Sequence, residues 1–414
     1  MANDGQVRPL GEVAHIVMGL SPKGDTYNND GMGDPLLNGP TEFGSIYPSA
    51  TLYTTAPSRF SEPGDILFCV RGSTTGRMNW ADRRYAIGRG IAAVRAKTGS
   101  TDTYYIYSCI NHYLDRLLAL TSGSVFPSLS TGDFNAFEIP WPDDIRRRAI
   151  VQILRSLDDK IELNRRMNRT LEKMAAAIFK SWFIDFDPVH AKAEGRDPNL
   201  PAEIADLFLD TFEDSDLGPI PKGWTPGKLA DVIEILDSKR IPLSSAERAK
   251  RKGPYPYYGA AGVLDYVDDF LFSGTHVLMG EDGSVVTDDD KPVIQYVWNL
   301  FWVNNHAHVL RGKNGFTEEH LYLFLKQLNI RPYVTGAVQP KLNQRNMKSV
   351  PMIVPPQTVS EAFGRIVGTL FQKFRANADQ GGTLAGLRDT LLPKLLSGEI
   401  ELPETEAIAE EVSS

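Results

Sequence analysis

Several strings in this 414-residue chain have the residue types of an active site, and their spacing decides against most of them. Pro142-Asp143 followed by Asp158-Asp159-Lys160 imitates the PD…(D/E)xK arrangement, in which two acids hold Mg²⁺. Asp158 and Lys160 fall in a helical stretch, where a two-residue spacing sends side chains to different faces. His306 and His308 form an HxH pair with strand spacing, but no third metal ligand is near in sequence, which favours packing against Trp298 and Trp302. Asp288, Asp289 and Asp290 read as a solvated acidic turn. There is no GxxxxGK[ST] loop for ATP phosphates. GRGIAA at 88–93 is followed by strand-like residues where a dinucleotide site needs a helix. VPPQ at 354–357 lacks the polar residue and the aromatic of an amino-methyltransferase loop. Cys69 and Cys109 are the only cysteines, too few for a four-ligand zinc site, and read as buried thiols.

What remains is basic, amide and hydroxyl chemistry on loops. In the first half these residues are Asn38, Thr41, Arg71, Ser73, Thr74, Thr75, Arg77, Arg83, Arg84 and Arg89. In the second half they are Lys239, Arg240, Lys250, Arg251, Lys252, Tyr257, Tyr258, Lys341, Asn343, Gln344 and Arg345. Arg and Lys donate to guanine, Asn and Gln pair with adenine, and hydroxyls and cations bind phosphates. Singly each is an ordinary surface residue; as two sets, one per half, they favour nucleic acid.

The elements that must position them come in duplicate. TSGSVFPSLSTGDFNAFEIPWP at 121–142 returns about 213 residues later as VTGAVQPKLNQRNMKSVPMIVPP at 334–356. PGDILFCVRGS at 63–73 stands opposite FSGTHVLMGEDGS at 272–284, and GRGIAAVRAK at 88–97 opposite NNHAHVLRGK at 304–313. These apolar runs read as strands, and 104–120 has helical spacing.

From Asp143 some forty residues run without Gly or Pro. A heptad seam runs through Ile150, Leu154, Leu157, Ile161, Asn164, Asn168, Leu171, Ala175, Ile178 and Trp182. Its copy gives Phe363, Val367, Leu370, Phe374, Asn377, Gly381, Leu384, Arg388, Leu391 and Leu395. The expectation is an antiparallel helix pair crossing where Asn164 faces Asn377, the helix of each half supplying the partner the other needs. Gly381, Gly382 and Gly386 count against a continuous second helix. The copy of Asp158–Lys160 reads Phe371-Gln372-Lys373, which also speaks against a metal site there.

The total charge of −8 is unevenly placed. Residues 183–216 hold ten acids against Lys192 and Arg196, and 399–414 hold six acids and no base, which leaves about +6 on the remainder. The acid sits in a connector and a tail, so it does not exclude DNA. The first residues show no basic stretch followed by a long apolar core, so no signal peptide is expected. No run approaches a membrane span, and the reading is a cytoplasmic protein.

The order of these strings resembles the specificity subunit of type I restriction–modification systems over essentially the full chain. SLDDKIELNRRMNRTLEKMAAAIFKSWFIDFDPV (156–189) resembles that family's central conserved region, LGPIPKGW (217–224) the entry to its second recognition domain, and LRDTLLPKLLSGEI (387–400) its C-terminal conserved region. GDILF at 64–68 is typical of its recognition domains. The resemblance implies a mixed α/β (α+β) fold: two globular target-recognition domains joined by two long antiparallel coiled-coil helices, in pseudo-two-fold duplicated halves. The corresponding segments are recognition domain 1 at 1–142, helical region 143–186, connector 187–224, recognition domain 2 at 225–358, helical region 359–400 and acidic tail 401–414. Function would be non-catalytic. Each recognition domain reads one half of a bipartite double-stranded DNA target, and helix length sets the unread spacer. Two adenine methyltransferase subunits carrying S-adenosylmethionine dock on the helices, and a restriction subunit using ATP and Mg²⁺ can join; no cofactor belongs to this chain. The alternatives are a self-contained Mg²⁺-dependent nuclease and a protein-interaction scaffold without DNA readout.

Overall fold

Ile66–Cys69 alternates its side chains between two cores, as a strand with both faces covered must. Ile66 and Phe68 join one apolar cluster and Leu67 another, all fully buried. In the second half His276–Gly280 does the same, with Val277 and Met279 on one face and Leu278 on the other. The computed structural model describes residues 6–121, 127–336, 338–400 and 402. The start of the repeated string at 122–126 and, apart from Leu402, the acidic tail lie outside them. The chain forms two compact units, 1–162 with 381–414, and 163–380, whose boundaries cut both long helices near the middle.

In the first unit a four-stranded antiparallel sheet runs Ala14–Met18, Ile91–Ala96, Ile66–Cys69, Met78–Trp80. A five-stranded sheet containing one parallel pair, Asp34–Leu37 with Tyr85–Ile87, lies beside it in sequence. The helix Ser100–His112 packs Tyr105, Ile106 and Ile110 into the same cluster as Ile150, Leu154, Leu392, Leu395 and Leu396 of the long helices. Full burial of each such side chain contributes roughly 1.5–3 kcal/mol.

In the second unit the sheet runs Ile233–Ile235, Ala307–Gly312, His276–Gly280, Ile294–Val297, again antiparallel. Its companion sheet again carries one parallel pair, Lys252–Tyr258 with Leu300–Val303. Ala175, Phe179 and Trp182 pack with Phe363, Val367 and Phe371. The segment read as a connector contributes Val189, Phe208, Ile220 and Trp224 to that cluster. Its acids hid the fact that its few apolar residues are spaced to fill a core.

The long helices are Asp144–Phe183 and Gln357–Ser397. The second is continuous through Gly381, Gly382 and Gly386, contrary to expectation. Each glycine costs about 1 kcal/mol relative to Ala, which a helix held by tertiary packing tolerates. The polar pairing also differs. Asn377 donates to Asn168 at 3.0 Å, not to Asn164, and Asn164 donates to Gln380 at 2.9 Å.

Of the remaining seam, Ile150, Leu154, Ile161, Phe363 and Val367 are buried. Leu157, Leu171, Ile178, Leu370, Phe374, Leu384 and Leu391 are only half-buried, while Phe371 and Leu392, one place along, are buried. A straight helix drifts from a strict heptad by about 20° per repeat. Each unit's sheet domain also packs on its helix segments, so the apolar stripe serves two neighbours.

The nuclease-like string is structural. Asp143 accepts from the Arg146 amide at 2.9 Å, as a helix cap does. Asp158 accepts from Arg388 at 2.7 Å and from the Tyr104 hydroxyl.

Candidate nucleic-acid interface

In an antiparallel sheet, alternate loops leave from the same rim. In the first unit that rim collects the loops after Met18 and Cys69 and those before Met78 and Ile91. It therefore gathers Arg71, Ser73, Thr74, Thr75, Arg77 and Arg89. Hydrogen bonds tie the loops together: Val70 N–H to Gly90 O at 2.9 Å, Gly88 N–H to Leu37 O at 2.8 Å, and Arg89 N–H to the Ser21 hydroxyl at 3.1 Å. Asn38 packs so tightly against Gly88 and Gly90 that a Cβ on either would collide with it. Asn38 thus holds the Arg89 loop, and Thr41 is exposed on the next turn.

Thr75 donates its hydroxyl to Gly72 O at 2.7 Å, and Thr74 lies against the buried Cys69 thiol, so both shape the loop. Ser73 is exposed. Arg77 reaches back to Pro40 O at 3.4 Å. Arg71 and Arg89 are exposed and make no ion pair among the described residues. Arg83 and Arg84 sit at the opposite end of the sheet, in the turn 81–84, beside Asp82 at 3.9 Å and Glu62 at 3.6 Å. Arg84 also covers the Phe60 ring.

The second unit builds the corresponding rim from the loops after Ile235 and Gly280 and those before Ile294 and Ala307. At its centre is a buried polar network that sequence reasoning missed. His308, fully buried, places Nδ1 2.7 Å from Asp237 and Nε2 2.8 Å from Leu342 O. Among the described residues its ring makes no aromatic contact with Trp298 or Trp302, and both ring nitrogens instead face oxygens of Asp237 and Leu342. Burial opposes ionisation of Asp237, but the hydrogen bond and charge of His308 outweigh it and hold that carboxyl below its usual range. The Asp237, Glu281 and His308 ligand atoms lie within 4.8 Å of one another, as metal ligands could. Arg240 already supplies the cation, 2.7 Å from Glu281 and 3.5 Å from Asp237.

Arg240 is therefore a packed strut, not a free DNA contact, and Gln344 joins it by donating to Asp237 at 2.6 Å. Asn343 caps the short helix Gln344–Lys348 by accepting from Asn346 N–H. Tyr257, also expected at the surface, is a core ring 1% exposed with its hydroxyl held by Leu243. Tyr258 is half-buried against Phe301. Arg251 and Lys252 are neutralised by Asp268 at 2.9 Å and Asp265 at 2.6 Å, away from this rim. Lys239, Lys250, Lys341 and Arg345 remain exposed with no acid partner among the described residues. Lys239 and Lys341 belong to the segments 236–240 and 340–343 that meet at the His308 network, and Arg345 to the short helix that follows the second.

A sequence profile described as Type I restriction modification DNA specificity domain matches residues 3–173 and 221–378. The chain belongs to that family. Each of the two matched stretches contains both of the sheets described above for its unit. Among specificity-subunit relatives, the type I restriction enzyme MjaIX specificity subunit of Methanocaldococcus jannaschii is 25% identical over 367 residues, 84% of this chain and 80% of the relative. The type I restriction enzyme HindI specificity subunit of Haemophilus influenzae is 24% identical over 338 residues, 69% of this chain and 74% of that one. The fold is similar to the crystal structure of a type I restriction-modification system S subunit from M. genitalium, with a TM-score of 0.57 at 19% identity, covering 94% of this chain and 96% of that one. Among the described residues no helix is long and apolar enough to cross a membrane.

Proposed function

We propose that this specificity subunit reads a bipartite duplex, one half-site per recognition domain, and has no catalysis of its own. The observation that carries the reading is one rim built twice from unlike residues. Arg71 and Arg89 stand free on the first, and Lys239, Lys341 and Arg345 on the second, in a chain whose total charge is negative. Cations without acid partners are available to phosphates and base edges, and their release of counterions makes binding salt-dependent.

The paired helices would dock two adenine methyltransferase subunits, which bring S-adenosylmethionine, and a restriction subunit bringing ATP and Mg²⁺ can join through them. Helix length would set the unread spacer. The test is binding of the chain, assembled with its methyltransferase, to its own target and to unrelated duplexes over a salt series. A specific complex that weakens steeply with salt is expected; equal binding to every duplex refutes the reading. Mg²⁺-dependent cleavage by the isolated chain would instead favour a nuclease. The structural roles of Asp143 and Asp158 argue against that outcome.

A further inference from the structure

The repeated string does more at the rim than mark a duplication. Pro127, Ser128, Leu129 and Ser130 correspond to Pro340, Lys341, Leu342 and Asn343. Each set lies beside the turn after its domain's central strand, and the two junctions are bonded alike. Gly72 N–H donates to Pro127 O at 3.1 Å and Leu129 N–H to Val70 O at 3.0 Å, around the bridge pair Arg71 and Ser128. Gly283 N–H donates to Pro340 O at 3.1 Å and Leu342 N–H to Glu281 O at 2.8 Å, around Asp282 and Lys341.

Every supporting part is kept. Gly72 and Gly283 have φ of 86° and 75°, in the left-handed region that favours glycine. Leu129 and Leu342 are buried anchors, and Ser130 and Asn343 cap the short helices that follow. The paired residues, by contrast, differ in charge and chemistry: Arg with Ser in one half, Asp with Lys in the other. Directly opposed residues of a two-stranded ribbon put their side chains on the same face.

We propose that these ribbons are the equivalent base-reading positions of the two domains, Arg71 with Ser128 for one half-site and Asp282 with Lys341 for the other. The assignment rests on the DNA-reading function proposed above. Arg71 is exposed and free to donate a two-pronged hydrogen bond to guanine in the major groove. Asp282 supplies the argument for bases over phosphates in the second domain. A carboxylate is repelled by the DNA backbone, but it accepts from the cytosine amino group, while Lys341 beside it donates to the paired guanine. His306 Nδ1 holds that carboxylate in place. Lys341 makes no ion pair with Asp282 or any other acid among the described residues, so its ammonium is available.

The test uses the chain co-expressed with the methyltransferase subunits, and maps methylated adenines across a random-sequence DNA library. Arg71→Ala should relax one base pair of one half-site, losing discrimination by about 10- to 100-fold there, and leave the other half-site intact. Lys341→Ala should do the reverse. Both side chains are exposed, so unchanged melting temperatures are expected and confirm folded variants. A uniform loss of methylation with the motif unchanged would mark phosphate contacts and overturn the assignment, as would an unaffected motif and rate. If the wild-type complex shows no bipartite motif at all, it is the DNA-reading function that fails.

Discussion

Replacing Arg147 by Met should loosen the first recognition domain from its helix, and the cost can be worked from the geometry. Arg147 and Asp102 form a two-pronged pair, Nε to Oδ1 at 2.8 Å and a second nitrogen to Oδ2 at 3.1 Å, with side chains only 8% and 5% exposed. Arg147 also donates to Pro142 O at 2.6 Å and lies over the Trp141 ring at 4.3 Å. It thereby joins the first turn of Ser100–His112 to the first turn of the long helix. Met keeps the apolar stem and removes the cation, leaving Asp102 buried with the Thr98 hydroxyl as its remaining side-chain partner. Breaking one side of a buried pair costs about 3–5 kcal/mol. For a unit of this size that lowers Tm by roughly 6–20 °C.

The pH dependence has a definite sign. Burial alone would raise the Asp102 pKa, but the Arg147 hydrogen bonds outweigh it and hold the carboxyl below its usual range. The wild-type contribution is therefore present above the unfolded pKa, near 4, and is lost as pH falls through the folded value. Without Arg147 the buried carboxyl can escape its penalty by taking up a proton, so the deficit should be greatest at pH 7 and smaller near pH 4. Scanning calorimetry on Arg147→Met, Asp102→Asn and the double variant reads both effects. A drop of less than about 2 °C at pH 7, or a double variant as unstable as the two single losses added together, would refute the reasoning.

His320 offers a second pH signature. Burial among Phe179, Phe183, Phe316 and Phe363 pushes its pKa down to about 3, so the unfolded chain takes up a proton below pH 6.5 that the folded one refuses. Stability should fall by about 2 kcal/mol between pH 7.5 and pH 5, and His320→Phe should remove that slope in denaturant titrations. Asn168→Leu alone should destabilise the second unit by about 1–2 kcal/mol, because it strands the buried Asn377 amide, whereas replacing both by Leu should recover most of the loss. Urea midpoints that fall further for the double variant would contradict the pairing. Gly72→Ala and Gly283→Ala meet no crowding atom, so each should cost about 1–2 kcal/mol through its positive φ alone. Thermal melts check that cost, and the assembled complex should lose affinity for the matching half-site only.

Much of the fold was legible because each central strand carries its own pattern. GDILFCVRG is apolar on both faces and ends in the glycine its turn needs, and the structure bounds that strand at Ile66–Cys69. The first long helix, read as running without Gly or Pro from Asp143, spans Asp144–Phe183. What escaped notice depends on distant partners. His308 reads as an aromatic-packed strand residue until Asp237, far away in sequence, turns out to face it. Arg251, Lys252 and Tyr257 look like DNA contacts until Asp268, Asp265 and the Leu243 backbone claim them. The signal that could have separated free from claimed cations was in the sequence, since Asp265, Asp268 and Asp269 follow Lys252 at hairpin distance, whereas Lys341 and Arg345 have no acid nearby.

The misplaced asparagine pair shows why duplication does not by itself give a register. Adding a fixed offset matches each residue to its own copy, so Asn164 is matched to Asn377. Antiparallel helices instead match each residue to the copy of a position equally far beyond the crossing point. The Asn377–Asn168 hydrogen bond sets that point at 166, midway between 164 and 168, because 377 is the copy of 164. By the same rule Asn164 needs the copy of Asn168, but that residue is Gly381, which has no amide to offer. Gln380 takes over as acceptor at 2.9 Å, and the Asn164 Oδ1 is left buried with no hydrogen-bond partner among the described residues. One half of the symmetric polar contact is present, and at the other an Asn–Gln hydrogen bond stands in its place. A single amide pair is enough to fix register where buried polar groups find no other partner. The glycine that stands where the symmetric contact would need an asparagine therefore leaves the alignment in place.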